Sequence, residues 1–334
     1  MGFWSVTTAA PQWWLTLFPT KPGYLRNDPV EPVSSPFTIR RASPAISAHI
    51  SAFWNTYYCG SDWYMDTSVE WVENYLRDPE VILLYAHDSS YTIMATIVSS
   101  PVSKKPVVMS HGARIPLRCI EGLCLADSVR GQGIAAIMIS AIDSYTSKSG
   151  PCAHIWSREL PLDPGIFTTA ASIKTYAYIL SNNAQLHRRH TPLRITNIPW
   201  STFMSTWNPY RYVVNQTSTI ISELPLNRNN GLDVWNVEYK GKNTIVVVLH
   251  TQRKTRSHKP ILEIIWSSSH TDLKTIHTHV SAQYNDCIMF TTDADGSWSP
   301  EWVYGQSGVH ATYLYNYLPP EFRNTELILI REEI

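Results

Sequence analysis

Two neighbouring stretches carry residue types that could do chemistry together. The first, Arg130-Gly131-Gln132-Gly133-Ile134-Ala135, fits the pattern Arg/Gln-x-x-Gly-x-Gly/Ala. Ile134, Met138, Ile142 and Tyr145 follow it at helical spacing, so a helix begins at the glycines. The first turn of a helix has unpaired N–H groups, and its dipole adds partial positive charge, which together favour an anion. Gly131 and Gly133 leave no Cβ between those amides and a pyrophosphate. A plain helix start that happens to contain glycine is the alternative. The second stretch, "IPLRCIEGLCLADS", reads as the strand feeding that loop, with Gly122 in its interior. An interior strand glycine marks a bulge or the close approach of a ligand.

Other motifs say less. "HRRH", His187 to His190, is a basic clamp for phosphates or a solvated linker; adjacent histidines lack metal-ligand geometry. Cys59, Cys119, Cys124, Cys152 and Cys287 are odd in number and without metal spacing, which predicts reduced thiols and no metal centre. Cys124 reads as a small buried filler of its strand.

The elements that must position the glycine loop follow an order. Residues 1–42, rich in Pro, Trp and Thr, read as an extended arm over a folded body. Ser43-Pro44 starts a helix with Ile46, Ile50, Phe53 and Tyr57 on one face. A second helix starts at Thr67 with Glu70 completing a capping box; Trp71, Val72, Tyr75 and Leu76 form its apolar face and Asp78-Pro79 ends it. Residues 81–100 form a hairpin around Asp88-Ser89-Ser90. After the glycine-loop helix come a strand in "AHIWSREL" and a helix in "TTAASIKTYAYIL", residues 168–180. The second half repeats the order: a hairpin around Lys240-Gly241-Lys242, a strand in "PILEIIWSSS", a helix carrying Leu273, Ile276, Val280 and Tyr284, then strands in "DCIMFTTD", "HATYLYNYL" and "ELILI". Two α+β units in tandem are therefore expected, residues 1–190 and 191–334, divided near "HRRHTPLRITNIPW".

Composition narrows the class. The chain has 334 residues, 44% hydrophobic and 16% charged, enough for a substantial core. The formal net charge is zero, without the basic excess of a nucleic-acid binder, so 13 tryptophans and 18 tyrosines are assigned to packing rather than to stacking on nucleobases. No apolar run reaches the roughly 18 residues of a membrane span. "MGFWSVTTAAPQWWLTLFPT" lacks a positive n-region and is broken by Pro11 and Pro19, which predicts a cytoplasmic rather than secreted protein.

The loop at a strand-to-helix junction resembles the acyl-CoA pyrophosphate loop of the GNAT acyltransferases. "EGLCLADSVRGQGIAAIMISAID" is similar, more narrowly, to the N-myristoyltransferase segment Asn-Phe-Leu-Cys-Val-His, basic loop, helix, with Leu123-Cys124 at its Leu-Cys and Arg130 at its first loop arginine. "MGFWSV" resembles that family's CoA-contacting Phe-Trp element. "WYMDTSVEWVENYL" resembles its Phe-x-Phe-Asp-Tyr-Ser-x-Glu-Phe helix start, "LPLDPGIFTTAASIKTYAYILSN" its Leu-Pro-x-Pro-Val-Gly region, and "ATYLYNYLPPEF" its C-terminal Tyr-Tyr-Leu-Tyr-Asn-Trp element. The matches run in order over nearly the whole chain.

The resemblance implies an α+β fold of two GNAT-like halves in a mixed, saddle-shaped sheet flanked by helices. It implies transfer of myristoyl from myristoyl-CoA to the N-terminal glycine of a protein or peptide by a monomeric enzyme, with no covalent intermediate and no metal. Acyl-CoA would contact Phe3, Trp4, Leu123, Cys124, Leu125, Arg130, Gly131, Gln132, Gly133, Ile134 and Ala135. The backbone amides of Gly122 and Leu123 would form the oxyanion hole. The Ile334 carboxylate would be the base, with Glu332, Glu333 and Asp293 as other acids near it in role. Asp62, Tyr64, Tyr178, Asp293 and Tyr313 would meet the peptide. Two departures bear on specificity: the family's acidic run is reduced to Asp62, and glycines and Gln132 replace its basic loop side chains.

Overall fold

The computed structural model describes residues 23–24, 34–101, 107–108, 114–159, 171–180, 194–199, 202–203, 231–268, 272–293, 303–315 and 317–318. The first half contains β1 (Gly23–Tyr24), β2 (Thr38–Arg41), α1 (Ser47–Tyr57), β3 (Trp63–Met65), α2 (Val69–Leu76), β4 (Ile82–His87), β5 (Ile93–Pro101), β6 (Val107–Val108), β7 (Arg114–Ile115), β8 (Leu117–Leu125), α3 (Ile134–Ser147), β9 (Ala153–Glu159) and β10 (Ala171–Leu180). The second contains β11 (Arg194–Ile198), β12 (Leu232–Tyr239), β13 (Lys242–Thr255), β14 (Pro260–Ser267), α4 (Leu273–Ser281), β15 (Ile288–Asp293), β16 (Val303–Tyr315) and β17 (Tyr317–Leu318).

The duplication read from the sequence is present in the topology. In each half an antiparallel hairpin (β4–β5, β12–β13) pairs with a third strand (β8, β14), which runs through a helix (α3, α4) into a parallel neighbour (β9, β15). Both halves belong to one mixed 13-stranded sheet. Each has its own apolar core. The first gathers Ile50, Trp54, Leu83, Ile97, Met138 and Ile142; the second gathers Val246, Val248, Ile276, Val280 and Met289. Burial of such side chains is worth roughly 1.5–3 kcal/mol each; helix faces supply Ile50, Trp54, Met138, Ile142, Ile276 and Val280, and the strands supply the rest.

The halves are joined by exchange. β10 lies between β15 and β16, and β16 lies between β10 and β9. A strand of the first half thus pairs with the second, and a strand of the second closes against the first.

Local chemistry explains the turns. Asp88 Oδ1 accepts from the amides of Ser90 (2.8 Å) and Thr92 (2.9 Å), which sets the first hairpin. Lys240 and Gly241 both have positive φ, 51° and 73°, the two-residue turn that matches strand twist.

Three expectations are corrected. Residues 171–180 form strand β10, not a helix: Ile173, Thr175, Tyr176, Tyr178 and Ile179 are β-branched and aromatic, and the segment is paired along both edges. The cap of α2 is Ser68, whose Oγ accepts from the Trp71 amide at 3.0 Å. Thr67 is instead occupied one turn away, its Oγ1 donating to Asn55 Oδ1 at 2.9 Å. The arm also forms strands: Gly23–Tyr24 pairs with Tyr317–Leu318 in a separate two-stranded sheet, and Thr38–Arg41 forms an edge strand of the large sheet on β4.

Candidate functional site

The site is built where β8 ends. Thr96 is registered with Cys124 and Val98 with Glu121, so two steps on β5 face three on β8. The extra residue is a bulge at Gly122–Leu123, and Gly122 has φ 59°, a conformation that costs other residues about 1–2 kcal/mol. Glycine there was legible as a bulge signal. The bulge is fixed from behind: Trp54 Nε1 donates to Thr96 Oγ1 at 2.9 Å, and Thr96 Oγ1 donates to the Gly122 carbonyl at 3.1 Å. Trp54 and Thr96 are fully buried.

On its other edge β8 is open. Its parallel pairing with β9 covers only Leu117↔Ala153, Arg118↔His154 and Cys119↔Ile155, while β9 runs on to Glu159 paired along its other edge with β16. Among the described residues, 120–125 therefore lack a strand neighbour on that side. Backbone groups left in such a gap need hydrogen-bonding partners. A ligand that presents amides could supply them.

The loop beyond has the geometry of an anion cradle. A 3₁₀ turn, Asp127–Val129, leads to Arg130 in extended backbone, and Gly131 and Gly133 follow with φ 76° and 78°. Gly133 is the N-cap of α3 and makes no side-chain capping bond. A Cβ on either glycine would meet nothing within 4 Å, so the space beside both is open, while the Gln132 amide donates to the Val129 carbonyl at 3.4 Å. Residues 131–133 are exposed, Ala135 is half-buried and Ile134 is buried as the first core residue of the helix. Gln132 turns back, Nε2 donating to the Ser128 carbonyl at 2.7 Å.

Arg130 is partly committed. Its Nε donates to the Leu125 carbonyl at 3.3 Å and its Nη2 to the Tyr57 carbonyl at 3.2 Å, with Asp127 Oδ1 also 3.3 Å from Nε. It ties the loop to the end of α1 while its side chain stays half-exposed. Cys124 is buried, and desolvation pushes its thiol up to about 12, outweighing the nearby Arg130 charge. It therefore has no thiolate to offer near neutrality. All five cysteines are free.

Glu121 was missed in the sequence reading. Its Oε1 accepts from Tyr75 OH at 2.8 Å and from Ser100 Oγ at 3.0 Å, one residue before the bulge. A charged residue inside the apolar run of β8 was the available signal. The Trp54–Thr96 relay had no signal, since its members lie 42 residues apart.

The peptide-side residues are spread over the sheet. Tyr64, on β3, pairs with Lys254 on β13, and its OH is 2.7 Å from His258 Nδ1. Asp62 is exposed and accepts from Ser61 Oγ at 3.0 Å through Oδ2, while its carbonyl accepts from the Arg256 amide at 3.1 Å. Asp62 thus adjoins a basic hairpin, in which Lys254 pairs with Asp66 and Lys259 with Asp286. Asp293 is registered with Tyr176 and Tyr178 with Thr291, which sets Tyr178 two steps along the β10–β15 pair from Asp293. Tyr313 lies farther along, opposite Ser172 on β10 and Trp156 on β9. Phe3, Trp4, His187–His190, Glu332, Glu333 and Ile334 lie outside the described residues. Among the described residues no three His, Cys, Asp or Glu side chains are grouped to hold a metal, and no helix is long and apolar enough to cross a membrane.

No family model matches the sequence, and no curated protein matches it. Solved structures do. A crystal structure of Saccharomyces cerevisiae N-myristoyltransferase with bound myristoyl-CoA superposes with a TM-score of 0.66 at 12% identity, covering 94% of this chain and 92% of the yeast chain. A second structure of that yeast enzyme, also with myristoyl-CoA, gives 0.63 at 13% identity over 95% and 88%. The fold is that of N-myristoyltransferase. The likeness to the N-myristoyltransferase fold takes in both halves, since the match spans nearly the full length of both chains. At 12% identity the likeness lies in the path of the backbone, and the bulge and the glycine loop are backbone features.

Proposed function

We propose that this chain transfers a myristoyl group from myristoyl-CoA to the N-terminal glycine amine of a protein or peptide. The observation that carries the reading is the bulge at Gly122–Leu123 placed one loop before the uncapped, glycine-lined start of α3, within this fold. The amides of Gly131, Gly133, Ile134 and Ala135 would hold the pyrophosphate, with Arg130 and Gln132 beside them. Leu123, Cys124 and Leu125 line the open edge of β8, where the amides of the pantetheine arm would find strand groups. Phe3 and Trp4 would complete the CoA contacts.

The chemistry is direct attack. The Gly122 and Leu123 amides polarise the thioester carbonyl and stabilise the oxyanion of the tetrahedral intermediate. The amine nitrogen bonds to the carbonyl carbon, the C–S bond breaks, and CoA leaves as a thiolate that gains a proton. A free α-amino group has a pKa of about 7.7–8.0, so a weak base suffices to remove its proton. The Ile334 carboxylate serves as that base. The inert Cys124 thiol supports a route without an acyl-enzyme. Asp62, Tyr64, Tyr178, Asp293 and Tyr313 would receive the peptide. With Asp62 set against a basic hairpin, a basic residue downstream of glycine is not required. The enzyme would work in the cytoplasm as a monomer, residues 1–190 binding acyl-CoA and residues 191–334 contributing to the peptide site.

One observation favours a second reading: the loop carries Gly131, Gln132 and Gly133 in place of basic side chains, which suits a GNAT N-acetyltransferase using a shorter acyl-CoA. A copy that binds acyl-CoA or peptide without catalysis is the third. The test is incubation with myristoyl-CoA or acetyl-CoA and a panel of glycine-starting peptides, followed by mass spectrometry. A myristoyl shift supports the proposal, an acetyl shift alone supports the second reading, and tight CoA binding with no shift supports the third.

A further inference from the structure

The geometry points to Trp54 and Thr96 as positioning residues for the oxyanion hole, an assignment that rests on the acyl-transfer reading above. Three observations carry it. Thr96 Oγ1 lies between two partners, accepting from Trp54 Nε1 at 2.9 Å and donating to the Gly122 carbonyl at 3.1 Å. A hydroxyl has one proton, so the indole donor leaves the carbonyl as the acceptor and fixes the direction of the chain of bonds. Both side chains are fully buried, so water does not compete for either bond.

The third observation is the backbone they grip. Gly122 sits at the bulge with φ 59°, where the β8 ladder to β5 is interrupted. A trans peptide holds its C=O and N–H on opposite sides of one plane. Pulling the Gly122 carbonyl toward Thr96 on β5 therefore turns the Leu123 N–H the other way. That side of β8 is the one β9 has left after Cys119↔Ile155. The relay orients the Leu123 amide into the gap where a thioester would lie, without touching substrate itself. Glycine at 122 allows the plane to turn, and Thr96 stops it turning back.

The variants are Thr96→Val, which keeps the shape but loses both bonds, Thr96→Ser, which keeps the hydroxyl, and Trp54→Phe, which removes the indole donor together with part of the buried ring. Removing an oxyanion-hole donor costs about 10²–10³ in kcat, and a donor left in place but misaimed should lose about 10–100-fold. The expected result is that fall in kcat for Thr96→Val with KM for acyl-CoA little changed, a smaller fall for Trp54→Phe, and recovery in Thr96→Ser. Infrared difference spectra of bound acyl-CoA labelled with ¹³C at the thioester carbonyl give a second readout without turnover. The carbonyl stretch should shift down in wild type and Thr96→Ser and shift less in Thr96→Val. Wild-type kcat in a folded Thr96→Val protein, or a loss shared equally by Thr96→Ser, would overturn the assignment, as would an unchanged carbonyl shift in Thr96→Val. If wild type transfers no acyl group, the functional reading fails instead, and the two failures are distinct.

Discussion

Arg130 Nη2 donates to the main-chain carbonyl of Tyr57 across 3.2 Å, so the side chain closest to the glycine loop already holds the end of α1. A phosphate at the loop must share that guanidinium with Tyr57 and Leu125. Arg130→Gln should therefore raise KM for acyl-CoA only about three- to tenfold, below the full value of a charge-assisted bond. Gly133→Ala should do more. It forces alanine to φ near 78°, costing about 1–2 kcal/mol of stability, and places a methyl group among the amides. Steady-state kinetics and thermal melts of both variants decide the order; a larger KM effect for Arg130→Gln would show that the side chain, not the backbone, holds the phosphates.

Cys124 offers a test of the direct route. Its thiol is held up at about 12 by burial, so it cannot serve as an acyl acceptor near neutrality. Cys124→Ala should keep kcat within about twofold, at a stability cost of about 1 kcal/mol for the lost packing. Initial-rate plots should intersect rather than run parallel, since parallel lines would mean an acyl-enzyme.

Glu121 and the chain terminus can be separated as bases. Removing residues 331–334 should lower kcat about 100-fold or more and remove the acid limb of its pH profile, the usual weight of a general base. Glu121→Gln keeps acceptors for Tyr75 and Ser100 and should cost only a few-fold. The opposite ranking would assign the proton to Glu121.

In the second half, Asp233 Oδ2 accepts from His250 Nε2 at 2.7 Å and from Tyr284 OH at 2.6 Å. The His250 bond is the main reason its pKa is depressed, with Tyr284 adding to it against the opposing cost of burial. A carboxyl with a lowered folded pKa stabilises fully above its unfolded value, about 3.9, and loses that contribution as pH falls through the folded value. Asp233→Asn should lower stability by about 1 kcal/mol at pH 7, a figure reduced for its partial exposure. Below about pH 4 the gap to wild type should close. Urea titrations at pH 7 and pH 3 measure it, and an equal gap at both would refute the linkage.

The order of elements was readable because its signals are local. Helical stripes such as Ile134, Met138 and Ile142, turn residues such as Asp88 and Lys240-Gly241, and the interior glycine of β8 each act within a few residues. The duplication followed from them. β10 was misread because Ile173, Tyr176 and Ile179 also fit a helical spacing, and only pairing with β15 and β16, more than 100 residues later, decides for a strand. The same holds at the site. The glycine loop is contiguous and announced itself. Trp54, Thr96 and Gly122 meet only after two helices and a hairpin have formed, and nothing in their spacing foretells it.

The exchange of β10 and β16 sets the order in which the molecule can be completed. During synthesis β9 emerges early, yet the strand that covers its open edge ends at Tyr315. Until then the first half presents an unfinished sheet edge, which invites pairing with other chains. A ribosome that has made only the first half holds an intermediate whose sheet is completed when the last strands arrive.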